Sequence, residues 1–247
     1  LAIDTGYFFI AWIAIAAVLN WFVAGMHVDQ ARALAAGFQA LAAFAALCFI
    51  IYAVVKRKVV SRKEWIFAGA ALVFWFISDA LLAGYEWTNH QPAPFPGVAE
   101  WFWLAGYVPL LVMLFKGVLQ GKESATTPDA TLLLLVLLLA DLLALNMLLV
   151  PLMQTPTPFM AKLFDALFII GDLAVFALAL FAAGLSRDFV NSPYTGLAGA
   201  AALLLVAHGA LLSSLLNGTF SPGGIPDFLG LVTYGAFAYS ALKSAQK

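Results

Sequence analysis

A chain of 247 residues that is 64% hydrophobic and 10% charged, with a mean hydropathy of +0.98, lies outside the composition of water-soluble domains. Its formal net charge of −1, with 12 basic and 13 acidic residues, supplies neither a wettable surface nor a basic stripe for nucleic acid; the partner implied is the lipid bilayer. A single cysteine, Cys48, excludes an intrachain disulfide and any thiolate metal cluster.

The apolar runs approach the ~20 residues a helix needs to cross hydrocarbon. They predict spans at 6–26, 34–56, 65–85, 98–119, 129–151, 160–184, 195–216 and 227–243. The fold class that follows is all-α: a polytopic membrane helical bundle of about eight transmembrane helices. Tyr7–Met26 has no cationic leader and no small-residue cleavage site, so it reads as a span and not a signal peptide. The second connection carries Lys56, Arg57, Lys58, Arg62 and Lys63. The third span bears Ser78 and Asp79 and ends at Tyr85, before the proline-rich stretch QPAPFPG at 91–97. Around that stretch Tyr85, Glu86, Trp87, Asn89, His90, Glu100, Trp101 and Trp103 form an aromatic and acidic lip. Such a lip suits a small amphiphile, a lipid headgroup or a cation, and equally an ordinary interfacial belt. Trp12 and Trp75 lie deeper and read as packing residues.

The fifth span holds Asp141 and Asn146, the sixth Asp165 and Asp172, and the seventh His208. A carboxylate at bilayer depth costs about 3 kcal/mol unless it is paired or wet, so each aspartate should face the bundle interior. No Lys or Arg stands at midspan, which leaves hydroxyls, amides, backbone, water, a bound cation or a proton as partners. Asp165 and Asp172 are seven residues apart and share a helix face. Structural hydrogen bonding between helices and a functional site weigh about equally for Asp141 and for this pair. His208 reads first as a satisfied core histidine, and second as a ligand or proton acceptor. His27 and His90 fall outside the spans, so no bis-histidine haem is built, and no metal ligand set is indicated. There is no nucleophile elbow, HExxH, phosphate-cradling loop or dinucleotide fingerprint, which leaves enzyme activity and cofactor unassigned. Lys243 sits at the end of the last span and not at its middle, against a retinal Schiff base.

Cations orient the chain. Lys56, Arg57, Lys58, Arg62, Lys63, Lys116, Lys122, Arg187, Lys243 and Lys247 fall on one side, and only Arg32 and Lys162 on the other. That asymmetry predicts cytoplasmic even-numbered connections and, with eight spans, cytoplasmic N- and C-termini.

The two halves align. IFAGAALVFWFISDALLAGY at 66–85 lies over GLAGAAALLLVAHGALLSSL at 196–215, a displacement of 130 that also pairs Arg32 with Lys162 and Arg57 with Arg187. Beyond the next connection the displacement is 127, pairing Glu100 with Asp227, Tyr107 with Tyr234 and Lys116 with Lys243. The reading is two tandem four-helix repeats, 1–123 and 124–247. An even number of helices per unit makes the copies parallel, related by a pseudo-two-fold along the membrane normal. In the second copy His208 and Gly209 replace Ser78 and Asp79, so the halves have diverged in chemistry.

ISDALLAGYEW, a proline-bearing connection and then WFWLAGYVPLLVMLFKG resemble a module of bacterial and archaeal signalling proteins. These are the multi-span N-terminal sensor regions that precede histidine kinase, PAS or diguanylate cyclase domains. The resemblance covers about residues 65–120 and implies that Asp79, Tyr85, Trp103, Gly106 and Tyr107 form the module's core. It implies a prokaryotic cytoplasmic membrane and a cytoplasmic signalling domain or partner protein; the chain itself ends at SAQK, without an effector domain. A sensory or ligand-binding module is the leading expectation. A proton- or cation-coupled transporter working through Asp141, Asp165 and Asp172 is the second, and an accessory subunit of a larger complex the third. Stimulus, substrate and whether the chain forms a homo-oligomer are open at this level.

Overall fold

The computed structural model describes residues 5–56, 62–121, 127–186, 189 and 192–245. Eight helices are present among them: α1 (Thr5–Ala24), α2 (Val28–Lys56), α3 (Arg62–Asn89), α4 (Val98–Gly121), α5 (Thr127–Gln154), α6 (Phe159–Gly184), α7 (Pro193–Leu216) and α8 (Ile225–Ser244). Each predicted span is realised as one helix. α2 and α3 run beyond theirs, because the added turns carry Asp29, Arg32 and Glu86–Asn89, polar residues that a helix can present outside hydrocarbon. Of the cations used for orientation, Arg57, Lys58, Lys122, Arg187 and Lys247 lie outside the described residues, as does the paired Arg57 and Arg187 of the repeat.

Seven helices, α1–α7, are long and apolar enough to cross a membrane. The chain is therefore a polytopic, all-α membrane protein. α8 has the length but not the apolarity, since Asp227, Thr233, Tyr234, Ser240 and Ser244 interrupt it. Its surroundings explain the difference. α8 packs against α1, α2 and α7, and buries Leu231, Val232, Tyr234, Phe237, Ala241 and Leu242. A helix walled in by protein need not be compatible with lipid, provided its polar groups find partners.

Contacts run from α2 to α3, α4, α6, α7, α8 and back to α2, a closed ring of six helices. α1 lies against α8 and α2 outside the ring, and α5 lies against α6. Small residues set the spacing: Ala43, Ala46 and Ala53 of α2, with Ala68 and Ala71 of α3, are all buried. Without large side chains between them, backbones approach closely and dispersion holds the pair.

One end of the bundle gathers the connections at 25–27, 90–97, 155–158 and 217–224, hereafter the proline end. There Asn20 Nδ2 donates to the Gly223 carbonyl at 2.7 Å, and Gln39 Nε2 donates to the Asp227 carbonyl at 2.7 Å. Trp12 Nε1 donates to the Leu231 carbonyl at 2.8 Å, so α1 and α2 pin the first turns of α8. Trp12 thus packs, as expected, and also bonds. At the opposite, basic end, named for the cations of its connecting sequence, Gly121 of α4 sits against Leu185 beyond α6.

Candidate functional site

Near the proline end, five ring helices send polar side chains to one place. At 1.5 Å rise per residue, Asp79, Trp103, Tyr107, His208 and Tyr234 lie within about 15 Å of the proline ends of their helices, and Asp172 about 20 Å. Two buried carboxylates organise the cluster, Asp79 at 4% exposure and Asp172 at 0%. Asp79 Oδ1 accepts from Trp103 Nε1 at 3.0 Å, and its Oδ2 accepts from the Tyr234 hydroxyl at 2.6 Å. Asp172 Oδ1 accepts from the Tyr107 hydroxyl at 2.5 Å, and its Oδ2 meets His208 Nδ1 at 2.5 Å. Each carboxylate therefore has one tyrosine and one nitrogen partner. The former links α3, α4 and α8, the latter α4, α6 and α7.

Trp75 of α3 fills the space between these groups and is fully buried. Its ring stacks on Trp103 with centroids 5.1 Å apart and stands edge-on to Tyr107 at 5.9 Å. Tyr234 lies 6.4 Å from it. The indole N–H donates to the Trp103 carbonyl at 3.0 Å, so a residue expected to pack also fixes α4. Two glycines permit this density. Gly106 meets the Trp75 ring with no room for a Cβ, and a Cβ on Gly171 would stand 3.0 Å from the Tyr107 ring. The latter approach lets the Tyr107 hydroxyl reach Asp172, the next residue along α6.

His208 is the open member of the cluster. Its side chain is 20% exposed, against 0% for Asp172. Trp103 lies 5.6 Å and Phe168 5.7 Å from its ring. With Nδ1 committed to Asp172, Nε2 has no hydrogen-bond partner among the described residues. Asp165 is half-buried on the same face of α6 as Asp172. Its carboxylate likewise has no hydrogen-bond partner among the described residues.

The structure thus brings together Asp79, Trp103, Tyr107, Asp172 and His208 of the predicted residues, with Asp165 two turns from Asp172 on the same face of α6. It leaves four apart. Asp141 is half-buried on α5 without a hydrogen-bond partner among the described residues, and Asn146 is exposed. Tyr85 is 40% exposed, as part of a belt with Trp87 and Trp101 at 62%. Glu100 is buried and accepts from the Gly97 backbone N–H at 2.7 Å, capping α4. The predicted lip divides in two: Glu100 and Trp103 turn inward, while Tyr85, Trp87, Asn89, His90 and Trp101 face out.

A second buried cluster at the basic end was not singled out from sequence. Glu64 accepts from Gln120 Nε2 at 2.7 Å and from the Tyr194 hydroxyl at 3.1 Å. Glu64 and Tyr194 are 130 residues apart, so the repeat displacement itself was the available signal. Tyr234 was visible only as the partner of Tyr107 in the alignment. Between the two clusters lies an apolar layer of Leu72, Leu110, Met113, Leu114, Leu197 and Phe237, each 1% exposed or less. Among the described residues no group of His, Cys, Asp and Glu is arranged to hold a metal ion. No family model, curated protein or solved structure matches the chain, so its chemistry is read from its own geometry.

Proposed function

We propose that the chain is a sensory or ligand-binding module of the membrane, in which an event at the proline end is relayed through the buried network to α8. The observation that carries this reading is the hydrogen bond from Tyr234 to Asp79, which ties α8 to the cluster across 155 residues of sequence. α8 is enclosed by protein, so any rearrangement of the cluster acts on it directly. The cation bias makes the basic end cytoplasmic, with α8 as an eighth span whose last turn, at Lys243, would meet a signalling domain or partner protein. The resemblance of residues 65–120 to sensor modules agrees with this direction of relay.

The apolar layer favours relay over transport. A carrier that moves a proton or cation through carboxylates needs polar positions across the full thickness. Here Asp79 and His208 stand on the proline side of the layer and Glu64 beyond it. Asp172 on α6 and Asp141 on α5 reach only to midspan, about 20 Å from the proline ends of their helices. Among the described residues no buried polar side chain of either helix continues the path to Glu64.

We read the chain, further, as two tandem copies of one four-helix unit, 1–123 and 124–247. Three pairs of helix contacts support this: α2–α3 with α6–α7, α3–α4 with α7–α8, and α8–α2 with α4–α6. Tyr107 and Tyr234, 127 residues apart, each bond a carboxylate. Gly97 donates to Glu100 as Gly223 donates to Asp227. The ring departs from symmetry at α1, which packs on α8 while α5 has no comparable contact with α4.

The relay is tested by spin labels at Lys56→Cys and Ala245→Cys in a Cys48→Ser background, reconstituted in nanodiscs. Tyr234→Phe removes one hydroxyl at the cluster and should shift or broaden the distance distribution at the far end of α8. An unchanged distribution in a folded variant rules the relay out.

A further inference from the structure

We propose that the outer face of α5 joins the chain to a second copy of itself in the membrane, through a parallel α5–α5 contact centred on Asn146. The contact uses none of the residues of the buried network.

α5 has one packed face and one bare one. Its inner side lies on α6, with Leu137 and Leu152 buried and the Leu148 side chain reaching Gly209 of α7. Half-buried Asp141 is turned toward that inner side. Asn146 follows Leu137 by nine residues, about two and a half turns, and so points the opposite way. It is exposed and has no hydrogen-bond partner among the described residues.

A carboxamide in that position has no water to turn to. Asn146 lies within the apolar span Leu134–Gln154, about 12 Å inside its proline end. Acyl chains neither donate nor accept, so lipid leaves the amide hydrogens and oxygen unmet. Pro151 leaves a further group unmet, because it has no N–H for the carbonyl of Met147, the residue after Asn146. Met147 is itself 76% exposed. α1, the other helix outside the ring, satisfies its polar side chains within the chain: Trp12 and Asn20 donate to carbonyls of Leu231 and Gly223. Asn146 is left for a neighbour from outside.

Three features make that neighbour a second copy. A carboxamide carries both donor and acceptor, so two asparagines satisfy each other reciprocally. Two copies inserted in the same sense are related by a two-fold along the membrane normal, which sets each Asn146 at the depth of its counterpart. The flanking surface also repeats as such a pair requires. Leu135, Leu139, Leu142, Asn146 and Met153 are all exposed and follow at intervals of four, three, four and seven, with half-buried Leu149 in the remaining place. This is the alternation of a two-helix seam, in which a single asparagine fixes the register. No charged residue stands in that stripe, so nothing in it repels an identical face.

The test is Förster transfer between donor- and acceptor-labelled full chains in liposomes under serial dilution with lipid. The labels sit at Ala245→Cys in a Cys48→Ser background. Transfer should follow a saturable monomer–dimer curve in the protein-to-lipid ratio. Asn146→Leu should weaken association about fivefold, which is about 1 kcal/mol. Asn146 bonds nothing in the fold, so this variant should assemble. In native membranes, Leu142→Cys in the same background should give disulfide-linked homodimers on oxidation, and Val206→Cys, exposed on α7, should not. Transfer no greater than that of randomly distributed chains, association unaltered by Asn146→Leu, equal cross-linking at Val206→Cys, or capture by Leu142→Cys of a different protein alone overturns the proposal.

Discussion

At the residue scale, the cluster works because every buried carboxylate oxygen has a donor. Tyr234→Phe leaves Asp79 Oδ2 without one, and should lower stability by about 1–3 kcal/mol. Asp79→Ala strands the Trp103 N–H and the Tyr234 hydroxyl together and opens a cavity, so its loss should be the greater. Reversible unfolding in mixed micelles measures both, and equal losses would count against Asp79 as the organising group. Much of this site was legible in the sequence. A carboxylate in an apolar run announces a buried partner, and Asp79 and Asp172 were visible for that reason. The identity of the partners was not legible: Tyr107 meets Asp172 across 65 residues, and aromatic residues in spans are mostly packing. Glu100 and Asp141 show the limit of the same logic. One caps its helix locally, the other has no hydrogen-bond partner among the described residues, and nothing in residue type distinguishes them from Asp172.

At the element scale, helix contacts are set by glycine as much as by apolar surface. Gly171→Ala places a methyl group 3.0 Å from the Tyr107 ring and should push that ring from Asp172, destabilising the fold by about 1–3 kcal/mol. Gly199→Ala, with nothing within 4 Å of its Cβ, should be neutral or stabilising by up to about 1 kcal/mol. Unfolding of the two variants side by side tests whether close approach, and not helix propensity, governs these positions. The helices themselves were readable to within a few residues, because long apolar runs bounded by Pro and Gly leave little choice. α5 and α8 invert the usual inference. α5 is strongly apolar yet leaves Leu142, Leu143 and Met147 exposed on the surface, while the more polar α8 is walled in. Hydropathy reports tolerance for lipid and is blind to which helix will be enclosed.

At the scale of the whole molecule, the buried carboxylates that accept from side-chain donors on other helices gather at two separated levels. The apolar layer between them predicts that proteoliposomes carrying the chain will dissipate an imposed pH gradient no faster than empty vesicles, as a lumenal pH dye would record. Proton flux that Asp172→Asn abolishes would overturn this and return the carrier reading to the front. Sequence displacement suggested the two-unit plan proposed above, but not which helices of the first and second halves of the chain would touch. The ring closes by contacts between halves, α4 with α6 and α8 with α2, and no local pattern encodes such a contact.

The position of α8 in the ring also constrains biogenesis. It is the last described helix to leave the ribosome, yet Trp12, Asn20 and Gln39 reach it from the first two, across 219, 203 and 188 residues. Until it arrives, α2 and α7 lack their common neighbour, Tyr234 is missing from Asp79, and an aspartate waits half-satisfied in the bilayer. A nascent chain that lacks α8 would therefore expose the polar lining of the ring, a state that membrane quality control would recognise and in which destabilising substitutions would act first.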